Sequence, residues 1–161
     1  NHDENSWAGT EFERMGDGAK TFAALCATVD GIPLIYSGQE EPLHKRLAFF
    51  EKDTIPFHNY EYESFYNTLL NLKKRNMALW NGDDGGLSKR INSSDQVYAF
   101  IRKKDSDKFI GVFNLSNKPQ TTKLDVPIES MKLVFGDKEV NLAKGEEISL
   151  GPWEYFLFSN K

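Results

Sequence analysis

Val97-Tyr98-Ala99-Phe100-Ile101-Arg102, Asp105-Ser106-Asp107 and Phe109-Ile110-Gly111-Val112-Phe113 read in order as strand, turn and strand. Val97, Ala99 and Ile101 alternate with Tyr98, Phe100 and Arg102, the period of two that sends successive side chains to opposite faces of a sheet. Further strands are expected near 88–92, 121–126, 131–135, 139–142, 146–150 and 153–159. Turn signals at Asn117-Lys118-Pro119, Gly136-Asp137, Lys144-Gly145 and Gly151-Pro152 separate them. Strands this short and this regularly punctuated predict an antiparallel sandwich, with Trp153 in its core.

N-terminal to Asn81-Gly82-Asp83-Asp84-Gly85-Gly86 the period changes. Ala19, Phe22, Ala23 and Cys26 recur at helical spacing, which predicts a helix with that face buried, Asp17 as its N-cap, and Gly31 with Pro33 as its stop. Pro33-Leu34-Ile35-Tyr36, bounded by Gly31 and Gly38, suits a short buried strand. Tyr62, Phe65, Tyr66 and Leu69 predict a second helix over 62–77, with Glu61 and Glu63 at its start and Lys73, Lys74 and Arg75 at its end, where they complement its dipole. Ser37 to His58 shows no periodicity; loops of that length in compact domains are commonly functional.

Charge narrows the function classes. Residues 1–80 carry 8 basic and 12 acidic side chains and residues 81–161 carry 12 of each, so the net charge of -4 arises in the first part. The broad basic field that holds nucleic acid or an anionic membrane is missing, and no apolar run approaches the ~20 residues that span a bilayer. Cys26 is the sole cysteine, which excludes an internal disulfide framework and a Cys-rich zinc site and leaves the compartment open, extracellular, periplasmic or cytoplasmic.

Motifs with possible chemistry are few. His2, His44 and His58 form no His-x-x-x-His pair, and the Gly-rich stretches lack the Gly-Lys-Ser/Thr ending of a phosphate loop. Asn81, Asp83 and Gly85 resemble the opening of a calcium loop, but its twelfth position is Asn92, where a bidentate Glu is needed. Cys26, on the apolar helix face, reads as a small buried hydrophobe. Trp7, Tyr36, Trp80 and Trp153 could stack on sugar rings, although aromatic residues serve more often as core or anchors. Asn92-Ser93-Ser94 and Asn114-Leu115-Ser116 fit the glycosylation pattern.

Several motifs in order carry more than any one of them. Asn1-His2-Asp3-Glu4-Asn5-Ser6-Trp7, the helix with Ala19 and Phe22, and Gly31-Ile32-Pro33-Leu34-Ile35-Tyr36-Ser37-Gly38-Gln39-Glu40 resemble the last conserved block and the strand-8 segment of the α-amylase family, glycoside hydrolase family 13. Lys45-Arg46-Leu47 and Phe49-Phe50-Glu51-Lys52-Asp53 are similar to that family's loop after strand 8, and Trp153-Glu154-Tyr155-Phe156-Leu157 to the closing strand of its C-terminal sandwich. The resemblance implies an α+β fragment: residues 1–81 as the C-terminal part of a (β/α)8 catalytic barrel and residues 82–161 as an antiparallel β-sandwich. It implies a parent enzyme that cleaves or transfers α-glucosidic bonds of starch or maltodextrins with retention, using an Asp nucleophile and a Glu acid/base that this sequence lacks. Carried over by position, Asp3 is the carboxylate that stabilises the transition state by holding sugar hydroxyls, and His2 is the neighbouring substrate-binding histidine. No cofactor is expected in this chain; calcium, common in the family, would be held by other parts of the parent. The implied partner is an α-glucan rather than nucleic acid or membrane, and a fragment with uncovered barrel edges is expected to self-associate. The competing reading is a non-catalytic carbohydrate-binding or accessory sandwich; a third makes the sandwich a seal packed on the helix at 62–77.

Overall fold

The computed structural model describes residues 3–136 and 139–161. Helices come first: α1 (Glu4–Trp7), α2 (Glu11–Met15), α3 (Ala19–Thr28) and α4 (Glu63–Arg75). Then follow β1 (Lys89–Arg90), β2 (Val97–Lys104), β3 (Asp107–Asn114), β4 (Gln120–Lys123), β5 (Ile128–Leu133), β6 (Glu139–Leu142), β7 (Glu147–Leu150) and β8 (Tyr155–Ser159). They form a six-stranded sheet in the order β1-β2-β3-β8-β5-β6 and a two-stranded sheet, β4-β7, with antiparallel pairing throughout. The expected sandwich is present. Its central hairpin pairs Val97 with Asn114 through Lys104 with Asp107, and Asp105 takes a left-handed φ of 51° in the turn, a conformation Asp tolerates better than most residues.

Both faces of the large sheet are buried, and alternation assigns the residues. Val97, Ala99 and Ile101 of β2, Ile110 and Val112 of β3 and Phe158 of β8 meet Ile148 and Leu150 of β7 in the sandwich interior. On the other face Phe100, Phe109, Phe113 and Leu157 pack against Ala24 and Ala27 of α3 and Phe65, Leu69 and Leu72 of α4. Gly111 makes room there: a Cβ would sit 2.6 Å from the Phe113 ring and 3.1 Å from that of Phe100, whose planes are stacked with centroids 6.0 Å apart.

Polar groups fasten the two layers. Arg102, only 1% exposed, donates from Nε to Gly86 O (2.7 Å), from Nη1 to Thr28 O (3.0 Å) and Val29 O (2.9 Å), and from Nη2 to Trp80 O (2.5 Å). One guanidinium thereby receives the carbonyls that end α3 and those of the bend after Leu79, groups a helix end leaves without partners. Gly86 permits this approach, since a Cβ would lie 2.4 Å from Lys103 O. Beyond α4, the buried Asn76 donates to Lys108 O and Ser159 Oγ, both at 3.0 Å, and accepts from Ala78 N. Met77 N donates to Asp107 Oδ2 at 2.8 Å.

The helical part corrects several expectations. α4 begins at Glu63 and buries Phe65, Tyr66, Leu69 and Leu72, close to the predicted helix. α3 buries Ala19, Thr21, Ala24, Ala27 and Thr28; of the predicted face Ala19 is buried, Phe22 and Ala23 are half-buried and Cys26 is exposed. The Thr21 hydroxyl donates to Trp153 O and that of Thr28 to Ala24 O, so both pack as small core residues, and apolar spacing alone placed the face only in part. Asp17 lies in a 3-10 turn, Gly16–Gly18, and the N-cap of α3 is Gly18, without a side-chain cap bond. Pro33–Tyr36 forms no strand, and Ile32 and Leu34 are 87% and 59% exposed. A buried strand needs neighbours for its N–H and C=O groups, and among the described residues none pairs with this segment. Trp153 lies just before β8 at a φ of 54°, half-buried and packed over Gly18 rather than in the sandwich core.

Candidate functional site

Asp3 sits at the N-terminal end of α1, half-buried, and its carbonyl accepts from Trp7 N at 3.4 Å. His2, the other residue singled out by the sequence, lies outside the described residues. The structure therefore locates one of the two and gives no geometry between them.

The residues next to Asp3 form a staple. Asn5 is buried on the short α1, and its Oδ1 accepts from Leu47 N at 2.9 Å while the Ser6 hydroxyl donates to Leu47 O. A one-turn helix and a loop distant in the chain are thus held through both backbone polar groups of Leu47. Asp53 closes the far side of that loop by accepting from Ala48 N (2.9 Å), Thr54 N (2.7 Å) and the Lys45 ammonium. Lys45 first, then those two N–H groups, hold the Asp53 carboxyl down at about 2. Arg46 pairs with Glu13 at 2.8 Å; Glu13 also completes a capping box with Thr10 at the start of α2. Arg14 pairs with Glu4 at 3.3 Å.

The staple presents three rings to solvent. Trp7 is 61%, Phe49 45% and Phe50 79% exposed, and their centroids lie 4.9 Å (Trp7–Phe49), 4.9 Å (Phe49–Phe50) and 6.1 Å (Trp7–Phe50) apart. Sequence reasoning named Trp7 as a sugar-stacking candidate and carried Asn5, Ser6 and Asp53 only as members of motifs, since their roles rest on contacts across 5 to 42 positions. A Phe-Phe pair in an unpatterned polar loop was the available signal.

Beside this region lies an open groove of ≈ 430 Å³, lined in part by Glu4, Asn5, Glu11, Gly31, Tyr36 and Gln39. Burial pushes the Glu11 carboxyl up, against its own backbone N–H, the Gln39 side chain and His44, which pull the other way. Gln39 Oε1 accepts from Tyr36 N at 2.6 Å, which fixes the bend after the Pro33–Tyr36 segment. Among the described residues no three His, Cys, Asp or Glu side chains are grouped to hold a metal ion. Nor is any helix among them long and apolar enough to cross a membrane. The glycosylation patterns are engaged internally: Asn92 Nδ2 donates to Val97 O and Thr122 Oγ1, and Asn114 Nδ2 to Lys118 O and Gly151 O.

Residues 90–157 match the family model described as "Maltogenic Amylase, C-terminal domain". No curated protein matches the chain in sequence. Among solved structures, the fold is similar to that of a maltogenic α-amylase, AmyB, from Thermotoga neapolitana (TM-score 0.71, 23% identity, 89% of this chain and 36% of that one). It is similar also to AmyP, solved in complex with maltose (0.67, 16%, 94% and 38%), and to an Anoxybacillus α-amylase (0.67, 19%, 89% and 32%). The chain thus spans about a third of the length of each. The family model covers residues 90–157, and the likeness in fold extends over 89–94% of the chain.

Proposed function

We propose that this chain is part of an α-amylase-family glycoside hydrolase that acts on α-glucosidic bonds of starch or maltodextrins with retention of configuration. Residues 1–81 would be the end of its catalytic barrel and residues 82–161 its C-terminal sandwich. The observation that carries the reading is the match of the sandwich to a maltogenic-amylase C-terminal domain, joined in sequence to the His2-Asp3 and Gly31–Glu40 motifs.

In this reading Asp3 accepts hydrogen bonds from sugar hydroxyls. Those bonds strengthen as positive charge develops on the ring, so the carboxylate contributes more in the transition state than in the ground state. His2 donates to the same hydroxyls. Neither residue supplies a nucleophile or an acid to the leaving oxygen, which a retaining hydrolysis requires at a separation of ~5 Å. The 161 residues by themselves are therefore inactive, and calcium, if the parent holds it, is held elsewhere.

The accessory-module reading draws less support. The large hydrophobic side chains that are markedly exposed lie between Trp7 and Leu87 among the described residues, so the sandwich presents no comparable aromatic surface. Its packing on α3 and α4 favours a sealing role.

The test is release of reducing sugar from starch or maltoheptaose. The purified chain is expected to match a buffer blank, whereas the parent enzyme turns over and loses activity on Asp3→Ala. Activity of the chain above the blank that Asp3→Ala abolishes would refute the assignment of the missing pair to other segments.

A further inference from the structure

We infer that Trp7, Phe49 and Phe50 form a preorganised binding platform for the apolar faces of glucose units in an α-glucan, a subsite next to the Asp3 position along the substrate. The inference rests on the reading of the parent as an α-glucan-acting enzyme and adds to it a site on named side chains.

Three observations carry it. The rings are contiguous and exposed, each with apolar area of the order of 150–250 Å² that a protein ordinarily buries. They are also held rigidly despite their exposure. Asn5 and Ser6 clamp Leu47 from one side, Asp53 clamps Ala48 and Thr54 from the other, and Phe49 and Phe50 sit between the clamps. Preorganisation of this kind lowers the ordering cost of binding. Finally, three acidic and three basic side chains around the rings pair off: Arg14 with Glu4, Arg46 with Glu13 and Lys45 with Asp53. A pyranose offers an apolar face with hydroxyls at its rim, which suits exposed rings flanked by paired charges.

The rings divide the work. Phe49, the least exposed, stands between the other two at 4.9 Å from each and supports them. Trp7 and Phe50 meet edge-on at 70° and offer faces in different directions, a corner that suits a curved chain of sugars better than a flat ribbon. Trp7 follows Asp3 by one helical turn, its N–H reaching the Asp3 backbone carbonyl, which places the platform one turn along the chain from that residue.

The experiment labels the tryptophans with 5-fluorotryptophan and monitors Trp7, Trp80 and Trp153 by fluorine NMR in the full chain during titration with maltoheptaose. The expected result is a saturable shift of the Trp7 signal at millimolar sugar, with Trp80 and Trp153 unmoved. Phe50→Ala, at the most exposed ring, should weaken the response about tenfold or more. The thermal midpoint, unchanged in that variant, separates lost binding from lost folding; Trp7→Ala, measured by calorimetry, is the second variant. No Trp7 response, an equal response to cellohexaose, or a Trp7 shift that tracks protein concentration without sugar would each overturn the inference, the last because a second copy then covers the rings. The two readings fail separately. A silent Trp7 in a chain whose parent still needs Asp3 removes the platform alone, and a Trp7 response beside a parent inert toward α-glucans removes the hydrolase alone.

Discussion

Arg102 shows how one side chain can hold two layers together. Its alternation with Val97, Ala99 and Ile101 placed it opposite the sandwich interior, but no local pattern marks a charged residue that is 1% exposed there. Four carbonyls and the Asp30 carboxylate, 3.6 Å away, compensate its desolvation. Arg102→Met should therefore cost about 3 kcal/mol or more, because the carbonyls of Thr28 and Gly86 stay buried without donors. Urea unfolding would read this as a lower midpoint at unchanged slope. Arg102→Lys should recover only part, since an ammonium cannot span carbonyls that a planar fork reaches. Asp53 sets a second expectation at this scale, with a sign fixed by its low carboxyl value. A folded value of about 2, below the ordinary carboxylate range, favours the native loop above pH ~4, and that contribution is lost as pH falls toward 2. Carbon NMR of the Asp53 carboxyl should titrate near 2, and Asp53→Asn should remove the acid-dependent loosening of residues 45–54. A midpoint near 4 would contradict the clamp.

Among the elements, legibility depended on how locally each was determined. The central hairpin announced itself because both faces of β2 and β3 are buried and its turn needs only two residues. α4 was equally plain, with four apolar residues on one face and charges that suit its dipole. α3 was read as a helix with its buried face only partly right: Ala19 is buried, Cys26 is not. Its partner is a sheet approached closely through Thr21, Ala24 and Thr28, and hydroxyls satisfied by Trp153 O and Ala24 O count as polar in any hydropathy pattern. The Pro33–Tyr36 strand failed for the opposite reason. The apolar run is real, but a strand is a relation between segments, and no described segment pairs with it. α1 escaped the periodicity analysis altogether, since four residues are too few to show a period. Its staple to Leu47 is what makes it an element.

At the scale of the whole molecule, Ala19, Phe22, Ala23 and Cys26 line a cleft with Leu34, Ile35 and Tyr66, so the face predicted to be core is the wall of an apolar cleft. With the neighbouring unpaired segment at Pro33–Tyr36, that surface should drive self-association of the isolated chain. Sedimentation at rising concentration is expected to show species larger than a monomer, and a strictly monomeric profile with residues 1–60 resistant to protease would contradict it. The candidate site was legible only as a motif: Asp3 and His2 were singled out by resemblance, whereas the three exposed rings and the clamps on their loop join residues up to 42 positions apart and needed coordinates. By itself the sequence determined the antiparallel sandwich, the helical segment ahead of it and the absence of a basic field, because each depends on local period, turn chemistry or summed charge. The tertiary structure alone decided which face of α3 is buried, what compensates Arg102 and which rings meet in solvent. Those outcomes depend on hydrogen bonds and packing between segments distant in the chain, and no local pattern encodes them.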